Sequence, residues 1–258
     1  MVPWELKFDY FDQATNRVKF IKAQPGEPAY TDYWYNFLKD FARHLRTKGW
    51  FERTTISMDE RKPEMMQHAF ELIKKADPEY KVSGQGNYHP EIEPLMYDYC
   101  LAYGQNVPDD VREARRKVGK ITTVYTCCTE AYPNVFTFSP PAEATWTILH
   151  AVAGDYDGYL RWAYNSWTKE PLLDSRFRTW AAGDCYLVYP GRSSIRMERL
   201  VEGMQNAEKI RILREEYTSK GMTNKLKKLN EAVAKFVPEN HTKDNAAEMV
   251  HAIGKILN

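Results

Sequence analysis

The feature that most constrains the fold is an alternation of short β-rich runs with longer amphipathic runs along the 258 residues. Within residues 32–48, apolar side chains recur at steps of three and four, which predicts a helix that ends at Gly49. Residues 54–58 are predicted to form a strand, and Pro63 suits the first turn of a helix over 63–76. This order favours βα units and a largely parallel sheet.

The same alternation continues through the rest of the chain. Pro108 opens a charged helix that ends near Gly119, and another helix begins at Pro140. Further helices are predicted over 194–217 and within the Lys-rich segment 223–258. The predicted strands are 54–58, 81–84, 97–102, 121–126 and 159–164, with one more near 5–10 and a short one at 186–189.

Parallel strands that alternate with helices predict an α/β fold of the (β/α)8 TIM-barrel type, which needs eight strands to close. The predicted number is lower, so either the chain is a fragment or weak strands escape the pattern. The prediction is a barrel that lacks its first strands and carries C-terminal helices. Residues 1–222 are expected to form this partial barrel, and residues 223–258 a helical extension that packs on it.

The charge balance excludes some partners. Lys and Arg number 36 against 35 Asp and Glu, a net charge of +1. This argues against nucleic acid, whose binding usually requires a basic excess. Hydrophobic residues make up 43% of the chain, but no apolar run resembles a signal peptide or a membrane span. The oligomeric state stays open.

Two residue types bear on the kind of site. Aromatic residues reach 14% and either fill a core of large side chains or line a sugar site, since pockets of any kind are rich in aromatics. The cysteines at 100, 127, 128 and 185 form no CxxC pair and have no His at ligand spacing. A zinc site is therefore not predicted, and buried free thiols are expected.

Candidate site residues are those at and after the strand ends, because barrel enzymes place their active sites at the carboxyl ends of strands. The chain has no GxSxG elbow, P-loop or Rossmann glycine motif. Carboxylates, amides and aromatics at these positions favour acid–base chemistry on a neutral polar substrate. The candidates are Asp59, Glu60, Gln85, Asn87, Tyr88, His89, Tyr125, Cys127, Cys128, Trp162, Tyr164, Asn165 and Trp167.

Asp59 and Glu60 are the best candidates for a catalytic pair. Successive side chains of a regular strand point to opposite faces, but both can face one pocket where the strand ends and the chain turns. Neighbouring carboxylates do not both ionise cheaply, so one can stay protonated as a general acid while the other stays charged. The alternative is a pair of solvated acids favoured by the N-terminus of the next helix.

The other candidates have structural alternatives. His89 either hydrogen-bonds a substrate hydroxyl or is a surface histidine of its loop. Trp162 either forms the floor of a sugar site or fills the barrel interior. Asn165 and Trp167, beyond the end of their strand, are better placed for a pocket. Arg196 and Arg199 in the long helix are interpreted as surface ion-pair partners and not as substrate ligands.

Several segments together resemble a known family. In chain order they are TTISMDE, ITTVYTCCTEAYPN, GYLRWAYNSW, GDCYLVYPG and SIRMERLVEGMQNAEKIRIL. They resemble the catalytic domain of glycoside hydrolase family 123 over about residues 5–217. Their shared order is more specific than any one segment.

The resemblance implies a β-N-acetylgalactosaminidase that acts on glycans or glycoconjugates, with a (β/α)8 barrel preceded by a β-sandwich domain. The family's consecutive Asp-Glu pair falls on Asp59 and Glu60. By this resemblance, Glu60 is the general acid/base. Asp59 orients the 2-acetamido group of the substrate, whose oxygen is the nucleophile in substrate-assisted, retaining cleavage. No metal or organic cofactor is implied.

The chain also departs from the family's pattern. The sandwich domain and first barrel strands have no counterpart, since the chain begins near the family's third strand. The family implies a secreted or periplasmic protein, although no signal peptide is present in this sequence. Two other functions stay open: a barrel glycosidase for a different sugar, which keeps Glu60 but has no acetamido pocket, and a carbohydrate-binding relative without turnover.

Overall fold

A computed structural model describes residues 6–105, 107–176 and 179–258. Within these residues the chain forms seven β-strands and seven α-helices. It divides into two compact units, the first within Met1–Leu101 and Gln105–Ile121, the second within Ala102–Gly104 and Thr122–Asn258.

The first unit begins with an antiparallel hairpin of β1 (Leu6–Asp12) and β2 (Arg17–Ala23). Asp12 closes its turn, because Oδ1 accepts a hydrogen bond from the Ala14 amide at 3.0 Å, and Asn16 adopts the left-handed conformation that asparagine tolerates. The strand predicted near residues 5–10 therefore exists, but its expected place among the parallel barrel strands is wrong. Its partner was not recognised from the sequence.

After the hairpin, helices alternate with parallel strands as predicted. The apolar stripe of the first helix is buried, including Leu38 and Ala42. The first and second helices each begin with a proline in their first turn, Pro28 and Pro63. The elements are α1 (Pro28–Thr47), β3 (Thr55–Met58), α2 (Pro63–Ala76), β4 (Lys81–Gly86), β5 (Asp98–Ala102) and α3 (Asp109–Lys117).

The second unit is mainly helical. Its elements are β6 (Ile121–Tyr125), α4 (Ala142–Ala153), β7 (Gly158–Leu160), α5 (Ile195–Ser219), α6 (Thr223–Val233) and α7 (Ala246–Leu257). α4 is buried on all sides and packs against α5, α6 and α7. Trp146 and Leu149 of α4 form one cluster with Leu229, Val233 and Ile253, so the predicted helical character of the Lys-rich segment is confirmed.

Among the described residues, β3, β4 and β5 lie side by side in a parallel sheet in the first unit, and β6 pairs with β7 in parallel in the second. In the first unit Thr55 pairs with Lys81, and in the second Thr123 pairs with Gly158. The α/β class with a parallel sheet is confirmed. Closure into a full barrel stays a prediction.

One predicted strand is too long. β7 ends at Leu160, so the strand predicted over 159–164 is wrong beyond that residue. Trp162 is 44% exposed and Tyr164 51% exposed, which excludes the alternative that Trp162 fills a core. Aromatic residues are enriched in strands because they pack on half-buried surfaces, and here they lie exposed on a loop.

The short strand predicted over 186–189 is also wrong. Tyr186 makes only an isolated antiparallel bridge with Asn165, and Tyr189 makes another with Arg192. Tyr186 and Leu187 are buried, and Leu187 packs in a core cluster with Ile148 of α4 and Leu200 of α5. The apolar run does not extend a sheet.

Candidate active site

Asp59 and Glu60 lie directly after the carboxyl end of β3, in the short connection to α2. Met58 just before them is fully buried, whereas both acids are exposed. The strand therefore delivers two carboxylates to the edge of the first unit where parallel α/β sheets usually carry ligands. Their predicted location after a strand is confirmed.

The two carboxylates have different surroundings. Arg61 Nη1 donates to Asp59 Oδ2 at 2.9 Å and to the backbone oxygen of Glu60 at 2.6 Å. In the part of the chain that the structure describes, no donor pairs with the side-chain carboxylate of Glu60. Because exposed ion pairs contribute about 0–1 kcal/mol, Arg61 orients Asp59 more than it stabilises the fold.

Glu60 packs against the neighbouring strand at Gly86, the last residue of β4. Gly86 has φ +132°, and a Cβ on it would stand 2.9 Å from Glu60 Cγ and 3.1 Å from Glu60 Cδ. Only glycine combines this backbone conformation with room for the neighbouring side chain. The bare backbone of β4 thus limits the directions that the Glu60 carboxylate can take.

The loop after β4 is held in place by Tyr99 of β5. The Tyr99 hydroxyl donates to the Asn87 carbonyl at 2.6 Å and accepts from the His89 amide at 3.0 Å. Burial raises the pKa of Tyr99 to about 12, so the hydroxyl keeps its proton at neutral pH. The backbone that carries Asn87 and His89 is therefore fixed next to Gly86, on which Glu60 rests.

The side chains of this loop remain accessible. Asn87 is exposed and His89 partly exposed. His89 Nδ1 lies 3.8 Å from Glu91 Oε1, an ion pair only when the imidazole is protonated. The first unit thus brings Asp59, Glu60 and the predicted Asn87 and His89 to adjoining strand ends.

The other predicted substrate-binding residues belong to the second unit. Tyr125 is the last residue of β6 and is half-buried. Trp162, Asn165 and Trp167 follow β7, and all three are exposed. Tyr125 lies just inside the end of β6 and Asn165 and Trp167 lie beyond β7, as predicted. Trp162 was predicted to lie inside its strand, and it lies beyond the end of β7.

Backbone pairing orders the loop after β7. The Tyr164 carbonyl accepts from the Leu187 amide at 2.8 Å, and the Trp167 indole donates from Nε1 to the Val188 carbonyl at 2.8 Å. Asn165 lies between these two anchors. The loop therefore displays Asn165 and Trp167 from an ordered backbone.

Sequence reasoning missed a buried charged pair beside this loop. Arg161 and Asp184 form an ion pair whose side chains are 4% and 0% exposed. Trp162 Nε1 donates to Asp184 Oδ1 at 3.4 Å. The available signal was a charge within an apolar run, since charged residues are almost never fully buried unless paired.

Arg196 is buried, so its interpretation as a surface ion-pair partner is wrong. Its Nη1 donates to the carbonyls of Val135 and Gly183, both at 2.7 Å. Loop carbonyls that have no place in a helix or sheet need a donor when they are buried, and a guanidinium supplies several. Burial lowers the pKa of Arg196.

The comparison with protein families decides the family. Residues 1–213 match the family model described as glycoside hydrolase 123, catalytic domain. The chain belongs to glycoside hydrolase family 123. Comparison with curated proteins gave no match.

A solved structure is similar to this family 123 chain. It is that of a family 123 glycoside hydrolase from Clostridium perfringens, studied for the details of glycolipid glycan hydrolysis, with a TM-score of 0.83 and 26% identity. The match covers 99% of this chain and 49% of that one. The chain therefore spans about half the length of this relative.

The structure also bears on the predictions made for the cysteines, for metal ligands and for membrane spans. Cys100 and Cys185 of the family 123 chain are buried thiols. Cys128 is exposed and Cys127 partly exposed, so the expectation of buried thiols is wrong for these two. Among the described residues, no group of three or more His, Cys, Asp and Glu side chains could hold a metal ion. None of the helices described is long and apolar enough to cross a membrane.

Proposed function

We propose that this protein is a retaining glycoside hydrolase that removes terminal β-linked N-acetylgalactosamine from glycans by substrate-assisted cleavage. One observation carries the proposal: the consecutive acids Asp59 and Glu60 stand at the carboxyl end of β3 in a chain of family 123. The similarity to the Clostridium perfringens enzyme supports a glycolipid glycan as the substrate class.

Glu60 is the proposed general acid/base. It protonates the departing glycosidic oxygen and later takes a proton from the attacking water, a role that typically contributes 10²–10⁴-fold to the rate. Two features support this role. Among the described residues its carboxylate has no partner, and Gly86 limits its movement.

Asp59 is the proposed partner of the 2-acetamido group. Its Oδ2 accepts from Arg61, which leaves Oδ1 to accept from the acetamido N–H. The acetamido oxygen then attacks C1 as the glycosidic bond breaks, and the positive oxazolinium ring lies near the Asp59 charge. Attack of water on C1 from the opposite face restores the original β configuration.

The remaining predicted residues supply binding. Asn87 and His89 offer hydrogen bonds to sugar hydroxyls, and the aromatic residues offer faces for pyranose rings. The scheme uses no metal or organic cofactor. The proposed binding residues of the second unit are Tyr125, Trp162, Asn165 and Trp167. We also propose that residues 1–222 form a partial barrel and that residues 223–258 form a helical extension of it.

Glu60→Gln tests the proposal on two substrates. Cleavage of an oligosaccharide with terminal β-N-acetylgalactosamine should fall roughly 10²–10⁴-fold, because its alkoxide leaving group needs a proton. Cleavage of the 4-nitrophenyl glycoside should fall less, because nitrophenolate leaves without one. Steady-state kinetics on both substrates measure this difference, and Glu64→Gln, an exposed acid of α2, is the matched control.

Other outcomes would reassign the function. Equal losses on the two substrates would remove the acid role from Glu60. Asp59→Asn should slow cleavage of both substrates. If the wild type cleaves a glycoside without the acetamido group faster than the N-acetylgalactosaminide, the protein is a glycosidase for a different sugar. Binding without turnover by the wild type would indicate a carbohydrate-binding protein.

A further inference from the structure

The buried ion pair of Arg161 and Asp184 is a weak stabiliser of the second unit. Removal of two charges from water costs free energy that their attraction often fails to recover. Among the described residues, Arg161 Nε and Asp184 Oδ2 also have no hydrogen-bond partner. The role of the pair is therefore better inferred from the groups that it contacts than from its contribution to stability.

Arg161 connects three segments of the second unit. Its Nη1 donates to the Thr126 carbonyl at 2.6 Å and to Asn134 Oδ1 at 3.2 Å, and its Nη2 donates to the Asp184 carbonyl at 3.1 Å. Thr126 directly follows β6, and Asn134 belongs to the loop beyond it. The guanidinium thus holds Asp184 in a fixed position relative to the end of β6.

Asp184 in turn anchors an exposed aromatic ring. Its Oδ1 accepts from both Arg161 Nη2 and Trp162 Nε1. The Trp162 ring lies 5.6 Å from the Trp180 ring at 62°, and these rings are 44% and 37% exposed. Trp162 Nε1 is hydrogen-bonded to a buried carboxylate, while both tryptophans are partly exposed to solvent.

We infer that Asp184 and Arg161 are positioning residues that hold Trp162 and Trp180 as a rigid aromatic pair for a sugar ring of the substrate. The inference rests on the proposed function, because it takes the ligand to be a glycan. A ring already fixed in its bound orientation loses little conformational freedom when the ligand binds. Loss of the anchor should therefore raise KM and leave kcat nearly unchanged.

A double-mutant cycle tests this coupling. Trp162→Phe keeps an aromatic ring but removes the indole donor, and Asp184→Asn removes the charge that both donors share. Each variant should raise KM for the β-N-acetylgalactosamine oligosaccharide roughly threefold to tenfold. The double variant should raise KM no further than the larger single effect. Multiplying effects, or an unchanged KM in Trp162→Phe, would overturn the inference.

A second readout is independent of turnover and of the folding of Asp184→Asn. The indole N–H of Trp162, assigned by its loss in Trp162→Phe, should exchange with solvent more slowly than that of Trp50, which is 50% exposed. Equal exchange rates would overturn the positioning role even if the enzyme is active. Slow exchange in a protein that cleaves no glycoside would support the positioning role and reject the proposed function.

Discussion

At the scale of single residues, the Glu60 side chain in the first unit packs against Gly86, where the backbone leaves no space for a side chain. Gly86 meets two requirements at once, since it adopts φ +132° and lies against Glu60. Asp59 is held by Arg61, whereas among the described residues the Glu60 carboxylate has no partner. The two neighbouring acids are therefore prepared for different roles.

Gly86→Ala tests the contact with Glu60. The new Cβ should displace Glu60 and lower kcat/KM by up to about 10²-fold, and the strained backbone should cost about 1–3 kcal/mol of unfolding free energy. Gly26→Ala is the control, since Gly26 has φ +95° but no atom within 4 Å of the position that a Cβ would take. It should lose stability and keep kcat/KM. Equal kinetics of the two variants, measured beside their thermal unfolding, would contradict the packing of Glu60 on β4.

At the scale of elements, the second unit is organised around α4. Gly203 of α5 allows a close approach, because a Cβ there would stand 2.8 Å from Ile148 Cβ and 3.3 Å from Thr145 Cα of α4. On another face of α4, the Trp146 ring lies 4.3 Å from that of His241. α4 therefore packs on both of these faces against residues that follow it in the chain.

Gly203→Ala and Gly254→Ala form a matched pair of helix substitutions. Alanine favours a helix over glycine by about 1 kcal/mol, and Gly254 of α7 has open space around a Cβ, so Gly254→Ala should raise the free energy of unfolding. At Gly203 the clash with α4 should exceed that gain and lower stability by about 1–3 kcal/mol. Urea unfolding of both variants measures the difference, and stabilisation at both positions would contradict the close approach.

The elements that could be predicted are those with strong local signals. α2 occupies the predicted residues 63–76, because a proline starts it and one face is regularly apolar. The β2 strand was missed although Val18 and Phe20 alternate with charged residues, and because both apolar side chains are exposed, this alternation marks no buried face. The strand at 159–164 was extended too far because Trp162 and Tyr164 favour strands without forming one here.

The candidate site shows the same division. The location of Asp59 and Glu60 followed from a strand that ends before a helix, which is a local pattern. The ion pair of Arg161 and Asp184 joins residues 23 positions apart in the chain. Gly86 of β4 contacts Glu60, which follows the neighbouring strand β3. No local pattern contains such contacts, because the packed fold creates them.

At the scale of the whole molecule, two buried groups of the second unit give opposite pH dependence. Burial raises the pKa of Glu143 to about 7 from its usual 4.5, so its contribution to stability is present below pH 4.5 and is lost as the pH rises to 7. Burial lowers the pKa of His241 to about 4 from 6.5. Its contribution is present above pH 6.5 and is lost as the pH falls towards 4.

Glu143→Gln separates these two effects. Gln can still accept from the Asn134 amide, which donates to Glu143 Oε2 at 2.8 Å, but it has no charge to bury. At pH 8 the variant should be more stable than the wild type by about 3 kcal/mol, and at pH 4.5 the two should be similar. Urea unfolding at both pH values measures this, and an equal difference at the two would contradict the raised pKa.

The most direct measurement is hydrolysis of an oligosaccharide with terminal β-linked N-acetylgalactosamine by the purified protein and its Glu60→Gln and Glu64→Gln variants. We expect the wild type and Glu64→Gln to release N-acetylgalactosamine as the β anomer, and Glu60→Gln to lose roughly 10²–10⁴-fold in rate. Near wild-type release by a folded Glu60→Gln protein, or the α anomer as the first product, would contradict the proposed function.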